Sequence, residues 1–134
     1  MRLFIILLAT LSLFSCSSNE PADNATTNDV RQRSELSRDS KIFLGNRLFS
    51  EKTCITCHSI DSKKVGPSVV EIISVYKKNN AKIEAFLQGK SEPIVDTTAS
   101  QVAIMKANID GFLKKITEEE LDAISTYMVH VTDK

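Results

Sequence analysis

The residues best suited to chemistry in this chain stand together: Cys54, Ile55, Thr56, Cys57 and His58. Two thiols three positions apart, with a histidine directly after the second, make a C-x-x-C-H motif. That spacing lets both sulfurs reach the two vinyl groups on one edge of a porphyrin and form thioethers. The histidine is then held beneath the ring, where an imidazole nitrogen can bind the iron. The pattern is that of a covalent attachment site for one haem c. Two other chemistries use the same cysteine spacing. A redox dithiol needs strand–helix alternation around it, and the sequence has none. A zinc site needs two further ligands, from Cys16, His130 or carboxylates. Cys16 has a use of its own, and His130 falls near the end of a helical pattern.

An iron bound by His58 has a second axial position, for which a soft thioether is the usual partner in an electron carrier. Met1 belongs to a leader that is removed. Met128 sits in the apolar stripe of the last helix, where methionine more often fills a core. His130 is close to the C-terminus and reads as a surface residue. Met105 lies in a polar stretch between two elements, where a loop could fold over a haem. Counting in this way favours Met105.

These groups need elements to position them. A helical pattern precedes the motif, with Leu44 and Leu48, and Gly45 and Phe49, at four-residue spacing on shared faces. Ser37 or Asp39 can cap its start. Gly45 costs about 1 kcal/mol relative to alanine in a helix interior, which points to close approach by another helix. After His58 comes a polar loop, and Pro67 suits the first turn of a further helix. Val69, Ile72, Ile73 and Tyr76 form the apolar face of that helix. Asn79-Asn80 breaks it and can cap a short successor carrying Ile83, Phe86 and Leu87, with Gly89 as its stop. Residues 90–99 read as loop, and residues 101–106 as a helical turn leading to Met105. The last helix opens on a capping box, Thr117 with Glu120. It carries the stripe Leu121, Ile124, Met128 and Val131, with Tyr127 on its border.

The N-terminus speaks to location. Met1-Arg2, an apolar run to Leu11 and a small residue before a cysteine make a secretory signal peptide over residues 1–15. The run is short for a membrane span. Leu13-Phe14-Ser15-Cys16 resembles the lipobox of bacterial lipoproteins, in which the cysteine is lipidated and begins the mature chain. With two cysteines assigned to haem, an odd third thiol in an exported protein calls for such a use. Residues 16–37 are polar and read as a lipidated N-terminus and flexible linker. About twenty residues of loose coil average roughly 25 Å end to end and reach about 70 Å when extended. Residues 38–134 make a single domain, whose 134-residue chain has a formal net charge of zero. That balance gives no basis for nucleic-acid binding.

Together these features resemble the short bacterial class I monohaem cytochromes c, over roughly residues 39–131. The matching features are Leu48-Phe49 at the end of the first helix, Cys54 to His58, Gly66-Pro67, Met105, and Tyr127 on the last helix. The resemblance implies an all-α class I fold, four to five helices around one haem, with the first and last crossing. It implies that Pro67 packs on the axial His58, that a nearby carbonyl accepts its ring N–H, and that Asn108 hydrogen-bonds near the Met105 sulfur. Lys106-Ala107 stands where the family commonly has proline, and the tryptophan that often binds a haem propionate is missing.

The activity implied is one-electron transfer by a non-enzymatic carrier on the periplasmic or cell-surface side of a bacterial membrane. Its partners would be a redox donor and acceptor, such as respiratory complexes or reductases, met by a monomer tethered through lipidated Cys16. Lys52, Lys63, Lys64 and Lys106 would border the haem edge and steer acidic partners. Two other functions use the same motif. A haem-based sensor or peroxidase-like enzyme needs a labile sixth ligand, and a fixed cytochrome subunit of a membrane oxidoreductase needs only a permanent partner.

Overall fold

The computed structural model describes residues 35–133. The signal peptide, Cys16 and most of the linker therefore lie outside the described residues. Among those described there are six α-helices and no strand: α1 (Arg38–Glu51), α2 (Cys54–Cys57), α3 (Val69–Lys78), α4 (Ile83–Leu87), α5 (Ala99–Asp110) and α6 (Glu118–Thr132). A 3-10 turn, Leu113–Lys115, joins the last two. Four of the helices are long. α2 and α4 have only 4 and 5 residues and serve to present side chains rather than to build a frame. None of the described helices is long and apolar enough to cross a membrane.

The frame is the crossing of α1 over α6, the most extensive helix–helix contact. Gly45 makes it possible. A Cβ at that position would stand 2.0 Å from the Ala123 carbonyl oxygen and 2.7 Å from Tyr127 Cβ, so any side chain would drive the helices apart. Phe49 and Tyr127 meet beside it, ring centroids 5.6 Å apart and tilted by 54°, within the distance range of favourable aromatic pairs. Lys41 reaches across to Asp122 at 2.8 Å and back to Glu35. These two carboxylates hold its ammonium above the ordinary lysine range.

Local chemistry sets the helix ends. Ser37 accepts from the Ser40 N–H and caps α1. Thr117 and Glu120 form the reciprocal capping box expected at α6. α3 departs from expectation. Ser68, not Pro67, is at its cap, accepting from the Glu71 N–H, so Pro67 stands just outside the helix. The reason appears at the site, where the proline carbonyl has another partner. Asn80 takes a left-handed conformation, φ 48°, and breaks the chain after α3 as read from sequence. It does not cap α4, whose cap position is Lys82 with no side-chain bond. Gly89, at φ 69°, does end the α4 segment, in the region that favours glycine.

The largest departure is α5. In place of a loop ending in one helical turn, a 12-residue helix carries Met105 in its interior. Its apolar residues make no clean stripe, and its only buried residue is Ile109. Its principal contact is the 3-10 turn that follows it, with no extended contact to another α-helix.

Candidate haem site

The chain enters the motif through a strained residue. Thr53, at φ 62°, is left-handed and turns the end of α1 into α2. For a β-branched residue this is an outlier, of the kind that clusters at functional sites. α2 then brings both cysteines and the histidine round in one turn, closed by the His58 N–H donating to the Cys54 carbonyl at 2.9 Å.

The loop after His58 folds back on the motif. The Gly66 N–H donates to Cys57 O at 3.0 Å, and Val69 N–H to Ser59 O at 2.9 Å. This places Gly66 flat against the imidazole: a Cβ there would be 2.5 Å from His58 Cε1 and 2.9 Å from Nδ1. It also aims the Pro67 carbonyl at the ring, 2.8 Å from Nδ1. Since a carbonyl can only accept, Nδ1 carries the proton in this hydrogen bond. Nε2 is left with the lone pair that a metal requires. The sequence resemblance pointed to this contact, and the geometry supplies it.

His58 and both cysteines open onto a cavity of about 220 Å³. Its wall is made of α3 (Ile72, Tyr76), α4 (Ile83, Phe86, Leu87) and the core residues Phe49 and Ile124. Met105 of α5 is on the wall as well. Its sulfur lies 3.9 Å from Asn108 Nδ2, one turn along the same helix, a weak N–H to sulfur contact. Met128 also lines the cavity, but it is 6% exposed and belongs to the core cluster. His130 is not on this wall; it borders a separate groove on the outer face of α1 and α6.

The residues present fit a covalently held haem. The cavity is mostly apolar, two thiols stand at its edge, one imidazole has its nitrogens sorted, and one thioether has a supporting donor. Burial pushes the Cys54 thiol above its ordinary value and the Tyr76 phenol up to about 12, so both are neutral around pH 7. Uncharged groups at these two places suit a large apolar ring. Among the described residues, no group of three or more His, Cys, Asp or Glu could hold a metal ion, which leaves the zinc reading without a ligand set there.

Some wall residues had no part in the sequence reading. Ile94 and Val95, in the segment read as plain loop, line the cavity, as do Phe112 and Leu113 at the turn after α5. Two adjacent β-branched residues after Pro93 were the available signal. Gln101 was also passed over: its Nε2 donates to Val65 O at 2.9 Å and ties the first turn of α5 to the loop beneath His58.

The model of the Cytochrome c family matches residues 43–132 of this chain. That span is well over half of the sequence and runs from within α1 to the end of α6, so the chain belongs to the cytochrome c family. With it come an all-α class I cytochrome c fold, covalent haem c, and haem-based electron transfer. No curated protein gives a significant match.

Proposed function

We propose that the protein is an extracytoplasmic one-electron carrier with a single haem, bound through Cys54 and Cys57, ligated by His58 and Met105, and tethered to a membrane through lipidated Cys16. One observation carries the ligation. His58 and Met105 line the same apolar cavity as both motif cysteines, and each has a polar group arranged behind it, Pro67 O and Asn108 Nδ2. Haem supplies a one-electron iron couple when bound, and thioether ligation favours the ferrous form. The chain does the rest. Pro67 and Gly66 hold the imidazole plane and its tautomer. Asn108 draws electron density from the Met105 sulfur. The aliphatic and aromatic wall keeps water from the ring. The signal-like leader and the odd third cysteine support export and tethering.

Redox partners would meet the cavity rim. Two of the lysines there already have acidic neighbours: Lys63 is 3.4 Å from Asp96, and Lys106 2.7 Å from Asp110. Exposed apolar residues, Ile55, Val65 and Ile104, lie on the motif, on its loop and beside Met105. Docking to a redox protein therefore rests on apolar contact with modest electrostatic steering, and its rate should fall only weakly with salt.

The test is optical. Oxidised protein matured with haem should show the weak long-wavelength sulfur-to-iron band. Met105→Ala should abolish it, lower the potential and let carbon monoxide bind the ferrous form. Met128→Ala should keep the band while costing about 2–5 kcal/mol of stability. The reverse pattern would assign the iron to Met128. Ready carbon monoxide binding by the wild type would turn the reading towards a ligand sensor.

A further inference from the structure

The most exposed large apolar side chain among the described residues lies off the wall of the haem cavity. Phe43, on the second turn of α1, is 75% exposed. It is not an isolated surface residue. It lines a groove between α1 and α6 together with Ile42, Tyr127 and Val131, with Asn46 and His130 also on its border. None of these residues lines the haem cavity. The helix could have carried a polar residue here at no cost to its frame, because the α1–α6 crossing is made by Gly45, Leu48 and Phe49 on another face.

What covers this groove is constrained by the chain that leads to it. α1 begins at Arg38, so Phe43 lies only six positions beyond the end of the linker. The linker itself is a poor occupant: residues 17–34 contain Val30 as their one large apolar residue. Twenty residues separate Cys16 from Ser37; read as a flexible linker, such a stretch spans roughly 25 Å on average. A surface holding Cys16 is therefore presented to the start of α1 at high effective concentration. A contact too weak to bind free protein then suffices to orient tethered protein.

We infer that the groove around Phe43 rests on the membrane to which the chain is tethered, with the Phe43 ring inserted at the lipid interface. The inference depends on the lipidated-Cys16 reading. An aromatic ring flanked by aliphatic residues is suited to the apolar side of that interface, and the Tyr127 ring beside it is suited to its wet edge. No lysine or arginine lines the groove itself, and Asp39 does, so the insertion is apolar; exposed Arg47, one turn on from Phe43, stands outside the groove lining. The consequence is orientation. The resting face and the haem cavity share no lining residue, so the cavity rim stays available to partners while the domain lies against the bilayer.

The test separates face from tether. Mass analysis of the N-terminal peptide reads lipidation at Cys16 alone. The face is read with a nitroxide on Asn46→Cys in haem-loaded protein, bound to phosphatidylcholine vesicles, with Ser91→Cys as the comparison site. At residue 46 the label should become several-fold more accessible to oxygen and less accessible to a water-soluble nickel chelate. Phe43→Asp should reverse this, and residue 91 should not change. To make the face reading independent of natural lipidation, Cys16→Ser protein with an N-terminal hexahistidine tag is held on zinc-chelating lipid and measured identically. An unmodified Cys16 with a Phe43-dependent label signal would remove the natural tether and leave the face. Lipidated Cys16 with a label that stays fully aqueous would overturn the face. Shielding that grows with protein density and brings dipolar broadening would assign the groove to a second copy, also overturning it.

Discussion

Where α1 crosses α6, the contact is built from groups of the polypeptide: a glycine that admits a backbone carbonyl, two tilted aromatic rings and a lysine reaching an aspartate, and α6 itself opens on a full capping box. On the other side of the domain, α5 has one buried residue, no side-chain bond at its Thr98 cap, and no extended contact with a partner helix. Ile109 joins the protein core and the 3-10 turn packs at the end of the helix; elsewhere α5 is held by Gln101 on Val65 O, the Lys63–Asp96 pair ahead of its start, and Met105 on the cavity wall. The first region is packed on protein throughout, the second in part on the space a haem fills. The difference teaches that a helix whose apolar partner is a cofactor need not show the stripe and caps of one whose partner is another helix.

The sharpest way to break the comparison is at Gly45. Gly45→Leu should cost at least about 3 kcal/mol, since the added atoms meet backbone that cannot move aside alone. Thermal unfolding followed at the haem band and by far-ultraviolet dichroism measures it. Little change in midpoint would mean the crossing is looser than its geometry.

Hydrogen exchange sharpens it next. In haem-loaded protein, α5 amides should exchange about ten-fold or more faster than those of α1 and α6, as sub-global opening of the less packed element. Met105→Ala should widen that gap and leave α6 protection nearly unchanged. Equal protection in both regions would remove the distinction.

Two caps give a smaller contrast. Thr117→Ala removes a reciprocal box and should cost about 1 kcal/mol in a denaturant midpoint. Thr98→Ala should cost only a few tenths, because that side chain bonds Asp96 and leaves the helix N–H groups alone.

The smallest effect is expected within α5 itself. Asn108→Ala removes a weak donor to the Met105 sulfur, worth about 0.5 kcal/mol. The midpoint potential should drop by about 20 mV on that basis, with the sulfur-to-iron band retained. An unchanged potential would leave Asn108 as a surface residue of the helix.

The sequence by itself determined the parts whose information is local or periodic. The C-x-x-C-H motif is contiguous, so its chemistry is written in five residues. The α6 stripe and its capping box repeat at helical spacing. Gly45 in a helix announced close approach, because little else justifies its cost. Tertiary structure alone decided the rest. That α5 runs for twelve residues, beyond the single turn read at residues 101–106, could not be read, because its residues answer to a cavity whose other walls include α3 and α4, separate segments earlier in the chain. That Pro67 stands outside α3 follows from its carbonyl being drawn to His58 across nine residues. That Met128 shares the cavity wall with Met105 depends on how α6 packs, which spacing along one helix does not specify. Side-chain chemistry and period are properties of a segment, whereas a cavity wall belongs to several segments at once and exists only after they have met.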